Sequence, residues 1–157
     1  MRTFVILSIS LLILFTQGNA QSLQDQYPLQ SCDDDEIHRS LVVANEVQIN
    51  NNGKLTMFQL IEAPNKAFVP VLISVEEGKK YALNVSVDPA YKRLDLAIID
   101  GDQTEIVKHT SRNRKGDRSV SRQVFTAKET GHYWLVLNLA TGRKASNCVG
   151  IGIIELN

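Results

Sequence analysis

After its first fifteen residues the chain has no apolar run approaching the roughly 20 residues that crossing a bilayer requires. It has no surplus charge either, with 17 Lys and Arg against 17 Asp and Glu. Net charge therefore points neither to a nucleic-acid partner nor to an acidic tail, and only the distribution of charge can inform. Signatures of catalysis are missing too. There is no Gly-x-Ser-x-Gly elbow and no His-Glu-x-x-His pair, and the histidines are three: His38, His109 and His132. A Ser-His-Asp set can be scattered along a chain, but the expectation is a domain that binds without catalysing. Nothing repeats internally, and no convincing helical period emerges.

What is present begins with a leader. Arg2 precedes the apolar stretch Phe4–Phe15, and Gly18 and Ala20 supply small side chains where a signal peptidase needs them. Residues 1–20 are read as a cleaved secretory signal, with the mature chain starting at Gln21 in a secreted or periplasmic setting. Residues 21–40 are polar and then acidic (Asp33-Asp34-Asp35-Glu36) and read as an extended, solvated leader. Cys32 and Cys148 are the only cysteines. In an oxidising compartment they are expected to pair, tying the entry of the domain to its last strand. Closing so long a loop is worth roughly 4–5 kcal/mol on the chain-entropy model.

From Leu41 onward the hydrophobic period is two. Tyr81, Leu83, Val85 and Val87 alternate with Ala82, Asn84, Ser86 and Asp88, and Leu94, Leu96 and Ile98 with Asp95, Ala97 and Ile99. Tyr133, Leu135, Leu137 and Leu139 make a further stripe. Residues tolerant of positive φ punctuate the runs at 50–53, 76–79, 100–102 and 129–131. Strands are expected near 41–49, 55–61, 68–75, 79–88, 93–99, 104–110, 119–126, 131–140 and 148–156. Each has one apolar and one polar face, so 41–157 reads as an all-β domain, an antiparallel two-sheet sandwich of about eight or nine strands. Pro70 places its strand at an edge or a bulge.

Three phrases carry a family likeness. They are Val75-Glu76-Glu77-Gly78-Lys79-Lys80-Tyr81-Ala82-Leu83-Asn84-Val85, Leu94-Asp95-Leu96-Ala97-Ile98-Ile99-Asp100-Gly101-Asp102, and Phe125-Thr126-Ala127-Lys128-Glu129-Thr130-Gly131-His132-Tyr133-Trp134-Leu135-Val136-Leu137. Over about residues 55–156 the chain resembles the bacterial pre-peptidase C-terminal domain, a jelly-roll sandwich usually appended to secreted peptidases. A GOLD-type sandwich is similar at the same phrases. The resemblance implies an accessory, non-catalytic role, and some relatives hold calcium at loop carboxylates.

Candidate sites follow from charge and aromatics. Asp100, Asp102 and Glu105 offer hard oxygen ligands for calcium, although their spacing is not that of an EF-hand and a hairpin turn with solvated acids explains them as well. Between Lys108 and Arg122 lie Lys108, Arg112, Arg114, Lys115, Arg118 and Arg122 against one acid, Asp117, and His109 adds a charge when protonated. Such a basic segment suits an anionic glycan or an acidic protein, or is simply solvated surface. It has no interleaved aromatic to stack on bases, which argues against nucleic acid. Trp134 must face opposite to Tyr133. An open outer face would let it stack on a sugar, and a covered one would make it core, the reading preferred from sequence. Asn84-Val85-Ser86 matches the N-glycosylation pattern, with Asn84 on the polar face.

The sequence thus predicts a secreted binding domain for an anionic glycan or a secreted or surface protein. The alternative is an accessory domain supporting export, folding or surface retention of another secreted protein, and a hydrolase without recognisable motif stands third.

Overall fold

The computed structural model describes residues 29–113, 120–142 and 146–157. Eight strands form two four-stranded antiparallel sheets. Sheet A has the order β1-β8-β3-β6 and sheet B the order β2-β7-β4-β5, where β1 is Lys54–Glu62, β2 Phe68–Val75, β3 Lys80–Val87, β4 Tyr91–Ile99, β5 Glu105–Arg112, β6 Val120–Thr126, β7 Gly131–Thr141 and β8 Cys148–Leu156. Only β4 and β5 follow each other as neighbours in one sheet; the other connections between successive strands cross between sheets. Both inner faces read straight from the alternation. Leu83, Val85, Ile151 and Ile153 of sheet A meet Leu94, Leu96, Ile98, Leu135, Leu137 and Leu139 of sheet B in one buried cluster. Pro70 lies on β2, an edge strand, where a missing N–H costs no ladder bond.

Two turns at one end of the sandwich use the same device. The Tyr81 hydroxyl accepts from the Glu76 N–H at 2.9 Å, and the Tyr133 hydroxyl from Lys128 N–H at 3.0 Å and Glu129 N–H at 3.3 Å. Both rings are buried, and each hydroxyl accepts from the backbone of the turn just before its own strand. The turns are then tied together: Gly78, at φ 75°, donates to the Ala127 carbonyl at 2.9 Å, and Glu77 N–H donates to Thr130 Oγ1 at 2.9 Å. Positive φ at this position is what glycine tolerates without strain.

The strand expected at 41–49 is instead the second half of a helix, α1, Asp35–Ile49. The helix also takes the end of the segment read as an extended leader. Asp34 is its N-cap, accepting from the N–H groups of Glu36 at 3.2 Å and Ile37 at 3.1 Å, with Asp35 and Glu36 placed favourably in the first turn. Part of the acidic run is thus structural. Ile37, Leu41, Ala44, Asn45 and Gln48 are buried at helical spacing. They rest on the outer face of sheet A, chiefly on β8 and β3. Gly150 and Gly152 make room there. A Cβ at Gly152 would clash with the Asn45 amide, and one at Gly150 would stand 3.1 Å from Leu41 Cδ2.

Cys32 and Cys148 form a disulfide across 116 residues, with Cα atoms 5.7 Å apart. Among the described residues no helix is long and apolar enough to cross a membrane.

Candidate binding face

Asn84 lies under α1, not on a solvated face as expected. It is fully buried, and its Nδ2 donates to Asn45 Oδ1 at 2.8 Å. Arg122 reaches in from β6, with Nε donating to Asn84 Oδ1 at 3.0 Å and Nη2 to the Ala44 carbonyl at 3.1 Å. In the folded chain no glycan can be carried at Asn84, and Arg122 serves the helix seat rather than the basic surface.

The outer face of sheet B is different: among the described residues no helix lies on it. Strand parity turns Phe68, Pro70, Leu72 and Ser74 of β2 outward, beside Asn138, Val136, Trp134 and His132 of β7. On β4, Asp95, Ala97 and Ile99 follow in register, and on β5 Thr110, Lys108 and Glu105. Trp134 is partly exposed, flanked by Leu72 on one side and Ile99 on the other. Phe68 is 73% exposed. One half of the face is therefore aromatic and aliphatic and the other half carries charge. Successive strands are about 4.8 Å apart, so Trp134 lies about 10 Å across the sheet from the β5 row.

The charged half is organised around Asp95. Its carboxylate accepts from Arg93 Nε at 2.8 Å and from Thr110 Oγ1 at 2.6 Å. Arg112 stands directly opposite Arg93 across the β4–β5 ladder. Lys108 pairs with Glu105 at 3.4 Å. At the other end of the face, Ser74 Oγ is 3.3 Å from His132 Nδ1.

The structure thus brings three of the expected binding residues, Lys108, Arg112 and Trp134, onto one face. Arg114, Lys115 and Arg118 lie outside the described residues. For calcium, Asp100 is buried and its Oδ1 accepts from Thr104 N–H at 2.8 Å, closing the β4–β5 hairpin. Asp102 is exposed at the turn, and Glu105 is committed to Lys108. Among the described residues no three His, Cys, Asp or Glu side chains group to hold a metal. Trp134 is partly exposed, and among the described residues no helix lies over its face of sheet B, α1 resting on sheet A. Sequence reasoning missed Phe68, Leu72, Ile99 and the Arg93–Asp95 pair. A signal existed: Phe68–Ile73 is apolar at every position, so β2 presents hydrocarbon on both faces.

No protein-family model matches the chain, and no curated protein matches it. The pre-peptidase C-terminal and GOLD resemblances therefore have the two-sheet sandwich in their favour and no family match. Among solved structures, the chain is similar to one described as CBM4, at 10% identity and TM-score 0.39, covering 68% of this chain and 79% of that one. It is also similar to a family GH115 4-O-methyl-α-glucuronidase with specificity for decorated arabinogalactans, at 8% identity and TM-score 0.41, covering 63% of this chain and 14% of that one. An Arthrobacter globiformis isomalto-dextranase complexed with panose matches at 12% identity and TM-score 0.35, covering 62% and 18%.

Proposed function

We propose that this chain is a secreted or periplasmic, non-catalytic binding domain that takes an anionic glycan on the outer face of sheet B. The observation that carries the proposal is Trp134, partly exposed and flanked in register by Leu72 and Ile99, on a sheet face that also presents Phe68. A flat apolar ring buries the carbon face of a sugar while the hydroxyls remain hydrated. Lys108 and Arg112, on β5 of the same sheet, then meet acidic groups on the ligand. The Cys32–Cys148 bridge suits an oxidising compartment.

The test is retention of the chain on a sulfated-polysaccharide column across a salt gradient, with Trp134→Ala and Lys108→Gln beside it. Retention that falls with salt, and is lost in Trp134→Ala, supports the reading. Equal, weak elution of all three overturns it. Turnover of a glycan that disappears on changing one histidine would overturn the non-catalytic assignment.

A second reading has one observation in its favour. Val43 (58% exposed) and Val47 (50%) on α1, and Val120 (37%) and Val124 (47%) on the edge strand β6 that α1 touches, are exposed hydrocarbon. An accessory domain serving another secreted protein would use such an apolar surface, and its docking would be insensitive to salt.

A further inference from the structure

Arg93 and Arg112 occupy directly opposed positions on β4 and β5 and turn to the same outer face. Like charges so placed repel, with Cβ atoms roughly 5 Å apart. Asp95 relieves only one of them. It takes Arg93 through Nε, and Thr110 takes part of its remaining acceptor capacity. Among the described residues the terminal nitrogens of Arg93 and the whole Arg112 guanidinium have no anionic partner. Two guanidinium groups side by side, one braced by a carboxylate beneath it, present a donor array matched to a planar or tetrahedral oxyanion.

Their position matters as much as their charge. Trp134 is in register with Ile99, and Arg93 lies six residues back along the same strand. At about 3.4 Å per residue, the paired arginines are about 20 Å from the tryptophan along the strand direction. Between them the β7 side of the face presents Val136 and Asn138 beside Ala97, with Asp95 next to Arg93 and Lys108 and Thr110 along β5. The geometry points to a second subsite at Arg93–Arg112 for a carboxylate or sulfate borne by the same extended glycan that stacks on Trp134. This rests on the glycan reading and adds to it the position of the acidic group, the direction of the chain, and a minimum ligand length of several sugar rings.

The experiment is calorimetric titration of the full chain with three length series, from disaccharide upward: neutral cello-oligosaccharides, oligogalacturonates and heparin-derived oligosaccharides. The wild type is expected to bind long acidic oligosaccharides about tenfold more tightly than neutral ones of equal length, a difference of the size one charge-assisted partner supplies. Disaccharides should show at most the smaller preference that Lys108 supplies, because they cannot span from Trp134 to Arg93–Arg112. Arg112→Gln is expected to cut the acidic preference of long oligosaccharides back to that of disaccharides. Arg112→Lys should retain part of it, since a point charge replaces a fork. Preference for the galacturonates alone identifies a carboxylate, and preference for the heparin series alone a sulfate. Acidic and neutral ligands bound equally, a preference already complete in disaccharides, or Arg112→Gln behaving as wild type would each overturn the subsite while leaving the Trp134 reading standing. Binding of none of the three series would remove both. Thermal melting guards against misfolding, because Arg112→Gln relieves a repulsion and should melt no lower than the parent.

Discussion

Sheets A and B each present four strands to the outside, yet their outer faces are built from different materials. Under α1, sheet A carries Gly150 and Gly152 and fully buried Asn84, which the exposed Arg122 of β6 reaches with its Nε. Those residues bring a helix close and satisfy its polar underside. The outer face of sheet B carries Trp134, Phe68, Leu72 and Ile99 in register with Arg93, Asp95, Lys108 and Arg112. That face closes nothing in the described fold, and its large rings remain in reach of solvent. The contrast separates a covered face from an uncovered one on the same architecture, and the proposed ligand uses the second. Asn84 and Ser86 are buried on the covered sheet, and on the open one Trp134 stands partly exposed and Phe68 exposed.

Changes on the covered side should cost stability. The double variant Cys32→Ser/Cys148→Ser, measured by denaturant unfolding without reductant, should lose roughly 4 kcal/mol, the closure entropy of its 116-residue separation. A loss below about 1 kcal/mol would mean the unfolded chain is already compact. Leu41→Ala, at a fully buried helix position over Gly150, should lose about 3 kcal/mol by cavity formation. An unchanged midpoint would show that α1 is not docked in solution. On the open side the prediction reverses: Phe68→Ser should shift stability by less than about 0.5 kcal/mol, because the ring is 73% exposed, while weakening glycan retention. A large loss of stability there would mean that something covers sheet B and would erase the contrast.

The smallest effect concerns neither face. Lys79 Nζ and Glu155 pair at 2.7 Å where β3 begins beside β8. The hydrogen bond from Lys79 holds the Glu155 carboxyl below the ordinary carboxylate range, and the same bond raises the Lys79 ammonium. A depressed carboxylate contributes stability above its unfolded pKa and loses it as pH falls through its folded one. A raised ammonium contributes below its unfolded pKa and loses it as pH rises through its folded one. Melting of wild type and Glu155→Gln should therefore differ slightly near neutral pH and converge in strong acid. Parallel curves at every pH would dismiss the pair as a contributor.

The strands were legible because a half-buried strand writes its burial into alternate residues, and the runs through Leu83, Leu96 and Leu137 do so plainly. The helix was not, for two physical reasons. Its docked stripe substitutes the amides Asn45 and Gln48 for hydrocarbon, and Val42, Val43 and Val47 supply β-branched residues that favour strands. Misreading α1 then misplaced Asn84, whose polar phase looked solvated only while the sheet beneath it was thought bare. Gly150 and Gly152 held the missing clue, two glycines on the same side of one strand marking a close approach. For the candidate site, parity alone gave the outward turn of Trp134. The choice between cover and exposure depended on which sheet received the helix, and alternation is silent on that. Arg93 was overlooked because its partner Arg112 is nineteen residues away and becomes adjacent only through the β4–β5 ladder.

The disulfide has a consequence beyond loop closure. Cys32 precedes α1 by three residues, and Cys148 opens the strand whose Gly150 and Gly152 seat that helix. The helix is thus leashed at its first turn to the surface it docks on. If it detaches, it stays at an effective concentration on the order of millimolar relative to its own seat. Re-docking then becomes a local, intramolecular event.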